Sequence, residues 1–307
     1  MPERHQSSNL TARRRMSLML PWVLPVLFVA GVVAFTVLDG DERDRAAEPV
    51  PNHAMGHIHG LGVDDEGQTI YIGAHSGFFR ASAGEPTERV GDTWQDTMAF
   101  LRVGEGDFLA SGHPDLTSDL PTHLGLIGST DEGRTWQLLS LAGEADFHAL
   151  DSAGRWVVGY DSHGERILAS RDRKTWTTID EGPMLDVAVA PANTAAAGLD
   201  QGELGAFLAT TATGEVVSYP GASGQARLLQ AAPRLALLDW PTPDLLVGID
   251  PQGTVYLSRT EGRNWVARGS IGEPPGALEV TDKAWYAATE TNVVVSRDQG
   301  QTWSVIA

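Results

Sequence analysis

Six histidines stand at recurring places in this chain: His57, His59, His75, His113, His148 and His163. His57-Ile58-His59 opens one apolar run, Met98-Ala99-Phe100 a second and His148-Ala149-Leu150 a third. Imidazole is the commonest metal-ligating side chain, and a thioether joins it chiefly for copper. His57, His59, His75, His113, His148 and His163 with Met98 therefore predict a transition-metal site, with copper as first choice and zinc as second. Cysteine is absent, which removes thiolate ligands, thiolate catalysis and disulfides together. Asp161, Asp250 and Glu290 stand at the ends of other apolar runs and are candidate ligand-binding carboxylates. Together with Asp186 they are also the acids that could flank a glycosidic bond. The sequence assigns no catalytic residue.

These side chains are far apart in the chain, so a repeating scaffold must gather them. Ser129-Thr-Asp131-Glu-Gly133-Arg-Thr135-Trp136 recurs as Ser296-Arg-Asp298-Gln-Gly300-Gln-Thr302-Trp303. It recurs in altered form at Ser258–Trp265 and, one residue shorter, at Ser170–Trp176. The spacings are near 40 residues or twice that, a period that in β-rich sequence means a propeller. Six short runs mark six inner strands: His59-Gly60-Leu61, Met98-Ala99-Phe100, His148-Ala149-Leu150, Val187-Ala188-Val189, Leu235-Ala236-Leu237 and Gly276-Ala277-Leu278. Each is followed by a second strand, at Ile70, Phe108, Trp156, Phe207, Leu245 and Trp285. The expected fold is an all-β, six-bladed β-propeller over residues 56–307. On it the first positions of the inner runs, His59, Met98, His148, Val187, Leu235 and Gly276, face the central channel. The second strands end at His75, His113, Asp161, Ala212, Asp250 and Glu290.

The Ser-x-Asp-x-Gly-x-Thr-Trp units resemble the Asp-box, or BNR, repeat of sialidases, sortilin-type receptors and photosystem-assembly propellers. The opening His57-Ile58-His59-Gly60-Leu61-Gly62, with Ser111-Gly112-His113-Pro114, is similar to a bacterial Asp-box group labelled as glycosyl hydrolases. The resemblance implies Asp-box hairpins and, as alternatives to a binding module, a sialidase-like glycoside hydrolase or a protein-interaction platform. A sialidase would need an arginine triad, a Tyr–Glu nucleophile and an Asp acid/base. The Phe/Tyr-Arg-Ile-Pro signature of that family does not occur, and Phe79-Arg80-Ala81-Ser82 is the nearest string.

Residues 1–15 form a basic tail with four Arg against one Glu, which leaves −21 of the formal −18 on the remainder. So acidic a surface repels phosphate backbones, which argues against nucleic acid as a partner. Residues 16–38 carry no charge. As a helix they reach about 34 Å, enough to span a bilayer. Arg13–Arg15 before the run and acids after it place the N-terminus in the cytoplasm and the propeller outside the cell membrane. A cleaved signal peptide is the competing reading of the same segment. Residues 39–55 read as a linker. The expected partners are thus a small ligand, a metal or a glycan at the channel mouth, and a membrane through the N-terminal helix.

Overall fold

The computed structural model describes residues 55–307 apart from 83, 192–202, 224 and 291. The expected basic tail, the expected membrane span and all but the last residue of the expected linker lie outside the described residues. Among the described residues no helix is long and apolar enough to cross a membrane.

Among the described residues twenty-four strands form six four-stranded antiparallel meanders, each sheet built from consecutive strands. The inner strands are β1 (Ile58–Val63), β5 (Asp96–Arg102), β9 (Phe147–Ala153), β13 (Met184–Val189), β17 (Leu237–Thr242) and β21 (Ala277–Val280). Each packs beside the next, and β21 packs beside β1, which closes the ring. The first and last sheets share no strand. Closure therefore rests on side-chain packing between them: Met55, Ile58, Ile72 and Phe79 meet Ala288, Val293, Val295 and the buried Ala307. Five similar apolar layers fill the remaining blade junctions. Each layer arises because strand side chains alternate, so every sheet presents one apolar row to each neighbour.

The four repeated loops join third and fourth strands of blades two, three, five and six. Ser129 Oγ donates to Asp131 Oδ1 at 2.7 Å and accepts from the Gly133 N–H at 2.9 Å. Asp131 in turn accepts from the Thr135 N–H and hydroxyl. The same bonds recur around Ser296, Asp298 and Thr302. Gly133 sits at φ 82°. A Cβ there would also lie 2.3 Å from the Phe78 ring, so the glycine answers both backbone and packing demands. Trp136 then packs edge-on to Phe78 of blade one. Loop chemistry and blade-to-blade packing are thus one device.

In three of six blades the inner strand begins two or three residues from where the sequence pattern placed its first channel position. The inner runs of blades five and six start before the regular strand, at Leu235 and Gly276. In blade four the pairing breaks at Leu185, between Met184 and Asp186, so Leu185 borders the central cavity and Val187 packs between blades. Leu235 is likewise fully buried between blades. Trp240 also lies in that core, whereas Trp94 is exposed, with the Arg89 guanidinium 3.6 Å from its ring centre.

Candidate functional site

Three equivalent triplets build one mouth of the channel: His57-Ile58-His59, Asp96-Thr97-Met98 and Asp146-Phe147-His148. In each the middle residue is buried, at 2%, 0% and 0% exposure. Anchoring it in a blade junction turns the two flanking side chains to the opposite side. The last residue of each triplet is the extra residue of a β-bulge, where the pairing skips His59, Met98 and His148. A bulge re-aims the side chain it carries. All three line a central cavity of about 220 Å³.

The ends of the second strands complete the mouth. The N–H groups of His75 and Ser162 donate to the carbonyls of His57 and Asp146, and His113 pairs with Asp96 across β5 and β6 (Phe108–His113). His75 Nδ1 lies 3.1 Å from Asp96 Oδ2. His113 reaches both acids, with Nδ1 3.3 Å from Asp96 Oδ2 and Nε2 3.5 Å from Asp146 Oδ2. Asp146 Oδ2 also has His148 Nε2 at 3.0 Å, His123 Nδ1 at 3.8 Å and the Ser162 hydroxyl at 3.1 Å. The exposed His163 ring lies tilted against that of His123, with 4.7 Å between ring centres. Two sets of donors are close enough to share an ion: His59, His75 and Asp96, and His113, His123 and Asp146. Within each set all donor atoms lie within 4.8 Å of one another.

The electrostatics follow from this packing. Hydrogen bonds to Asp146 and then Asp96 raise His113 to about 10, so it is an imidazolium at neutral pH. Burial works against the charge of Asp146. Hydrogen bonds from His113 and His148 outweigh it and hold the carboxyl well below its ordinary range. His59 has the opposite fate: burial lowers it to about 4, only partly offset by Asp96, leaving a neutral ring with a free lone pair. Asp96 Oδ1, Asp146 Oδ1 and His123 Nδ1 are buried without a hydrogen-bond partner.

The candidate carboxylates read from the sequence sit differently. Asp161 is fully buried; its Oδ1 accepts the Asp146 N–H and its Oδ2 accepts from Arg166 Nε. It positions the mouth from behind. Asp250 closes its own turn by accepting the N–H groups of Gln252 and Thr254. Glu290 is exposed and borders a shallow recess with His57 and His59. Met98 borders the channel between His59 and His148. Reasoning from histidine positions missed Asp96, Asp146 and His123. The spacing held the first two, since Asp96 and Asp146 precede Met98 and His148 by two residues, as His57 precedes His59. His123 comes from the loop between β6 and β7 (Leu126–Ser129), where no period speaks.

Further along the inner strands a waist of acids, Asp151, Asp186, Asp239 and Glu279, lines the same cavity. Asp151 Oδ2 accepts the Val189 N–H at 2.6 Å, Asp186 Oδ2 that of Leu238 at 2.7 Å and Asp239 Oδ2 that of Val280 at 2.6 Å. Each bond joins one inner strand to the next. Burial among these walls raises Asp151 to about 6, Asp186 to about 7 and Glu279 to about 8, and pushes Asp239 well above the ordinary range.

No family model matches the chain, and no curated protein matches it. Among solved structures it is similar to YCF48 bound to D1 peptide, with a TM-score of 0.52, 15% identity and 84% of each chain covered. It is similar to a chain of a nidogen/laminin complex, with a TM-score of 0.60, 8% identity, and 78% of this chain and 92% of that one covered. It is also similar to a catalytically inactive virginiamycin B lyase from Staphylococcus aureus with quinupristin, at 0.53, 11% identity, and 82% and 84% coverage. At these identities the likeness is one of fold alone, a β-propeller.

Proposed function

We propose that this chain is a metal-binding propeller whose mouth over blades one to three takes a divalent transition-metal ion. The observation that carries the reading is the convergence of imidazoles on two carboxylates, Asp96 and Asp146, each with one buried oxygen left unpartnered. A set of nitrogen and oxygen donors suits copper(II) and zinc(II), and the usual affinity order puts copper ahead. Met98, beside His59 and His148 at the channel, adds a soft donor that favours copper further. The Asp-box resemblance accounts for the loops and leaves the mouth free to differ, since those hairpins lie between outer strands. A glycoside hydrolase gains little from Asp161 and Asp250, whose oxygens are engaged by backbone and Arg166. With residues 16–38 as an anchor, the mouth would meet metal outside the cytoplasm.

Calorimetric titration of the metal-free, full-length chain with copper(II) and zinc(II) tests the reading. Saturable binding that is lost in Asp146→Ala is expected. Heats no different from buffer for both ions would end it.

A second reading has its own observation. Trp94, Leu116 and Leu120 are exposed at 60%, 104% and 47%. The two leucines belong to the loop that also carries His123, and the Trp94 N–H donates to Asp115 of that loop. Apolar side chains gathered near a propeller mouth suit a peptide or protein partner. Pull-down with a Leu116→Ser/Leu120→Ser variant as control would separate a partner surface from a bare loop.

A further inference from the structure

We infer that the mouth is a two-ion centre, in which His113 bridges one metal ion carried by Asp96 and a second carried by Asp146. The inference rests on the metal-binding reading above and specifies its stoichiometry.

Among the described residues His113 is the one ring in contact with both acids, and it meets them through opposite nitrogens. Its Nδ1 faces the group in which Asp96 is approached by His75, with His59 close by. Its Nε2 faces the group in which Asp146 is approached by His123 and His148. With metal–ligand bonds of about 2.0–2.2 Å, donor atoms around a tetrahedral ion lie roughly 3.3–3.6 Å apart. The donors around Asp96 stand 3.1 and 3.3 Å from its Oδ2. Those around Asp146 stand 3.0, 3.5 and 3.8 Å from its Oδ2. Each acid oxygen therefore stands near coordination-shell spacing from its imidazole nitrogens before any ion enters.

A hydrogen-bond network alone leaves part of the geometry unexplained. A network selected for its own bonds satisfies its buried polar atoms. Here one oxygen of each acid and His123 Nδ1 are buried and unpartnered. Asp146 is only 5% exposed, so water offers it little. An ion at each acid would use these atoms. As a bridge His113 gives both ring protons to solvent, and each nitrogen lone pair turns to one ion.

The test uses the full-length chain and copper(II) alone. Metal content by elemental analysis is compared with the number of spins in the electron paramagnetic resonance spectrum. Two ions across a shared imidazolate couple magnetically, so two coppers per chain with far fewer than two observable spins is the expected result. His113→Gln should restore the missing spins. His123→Ala should leave a single copper with a full one-spin signal, which keeps the test sharp if His113→Gln fails to fold. Two uncoupled coppers, a single copper in the unaltered chain, or a coupled pair that survives His113→Gln would overturn the bridge while the metal-binding reading stands. No bound copper would overturn both.

Discussion

The mouth and the waist of the same channel both hold carboxylates among inner strands, yet they use them in opposite ways. At the waist, Asp151, Asp186 and Asp239 each accept a backbone N–H from the next blade. Those donors cannot move, cannot lose their protons and carry no net charge, so the acids are fastenings between blades and burial drives their pKa upward. At the mouth, Asp96 and Asp146 are surrounded by imidazoles, which can rotate, exchange protons and turn a lone pair toward a cation. There the donors win and Asp146 is held ionised. The kind of donor around each carboxylate thus sets its ionisation more than its depth does.

The largest expected effect breaks the mouth and spares the waist. Asp146→Ala should weaken copper(II) binding by at least the ~10–100-fold that losing an outer-shell partner costs, and calorimetry would show it. Asp186→Ala should leave copper affinity unchanged and instead destabilise the fold. At pH 5, where the native acid is largely neutral, the orphaned Leu238 N–H should cost about 1–3 kcal/mol, read from urea unfolding.

A pH profile sharpens the contrast. His113 is raised to about 10 from 6.5 by its acids, so its contribution to stability is fully present below pH 6.5 and is lost as pH rises through about 10. Thermal melts from pH 6 to 10 should fall in the metal-free chain, and His113→Gln should flatten that part of the fall. The smallest effect comes from the waist. Glu279 is raised by burial to about 8 from 4.5, so its charging in the folded state costs stability as pH passes 8. Glu279→Gln should therefore raise the melting temperature at pH 9, by roughly 2–4 °C for about 1 kcal/mol, and leave it unchanged at pH 4. An equal shift at both values would mean that the side chain acts by packing and not by charge.

Much of the architecture was legible in advance because it is written in local, repeated chemistry. The Ser129 and Ser296 loops carry their own hydrogen bonds within eight residues, so their period reports blades without knowledge of the ring. The inner runs likewise announce themselves as short apolar stretches before a second strand. Register was less legible: a bulge at Leu185 moves blade four's channel position by two residues, and no residue type marks it. The three bulges at His59, Met98 and His148 placed the predicted ligands at the channel, while Asp161 and Asp250 were claimed by turns and a neighbouring Arg. By itself, then, the sequence determined six β-meanders and a concentration of imidazoles in the first three, because strand alternation and turn bonding act over a few residues. Only the closed ring decided that Asp96, Asp146 and the loop residue His123 meet those imidazoles, because their contacts join different blades and exist only once neighbouring sheets have packed.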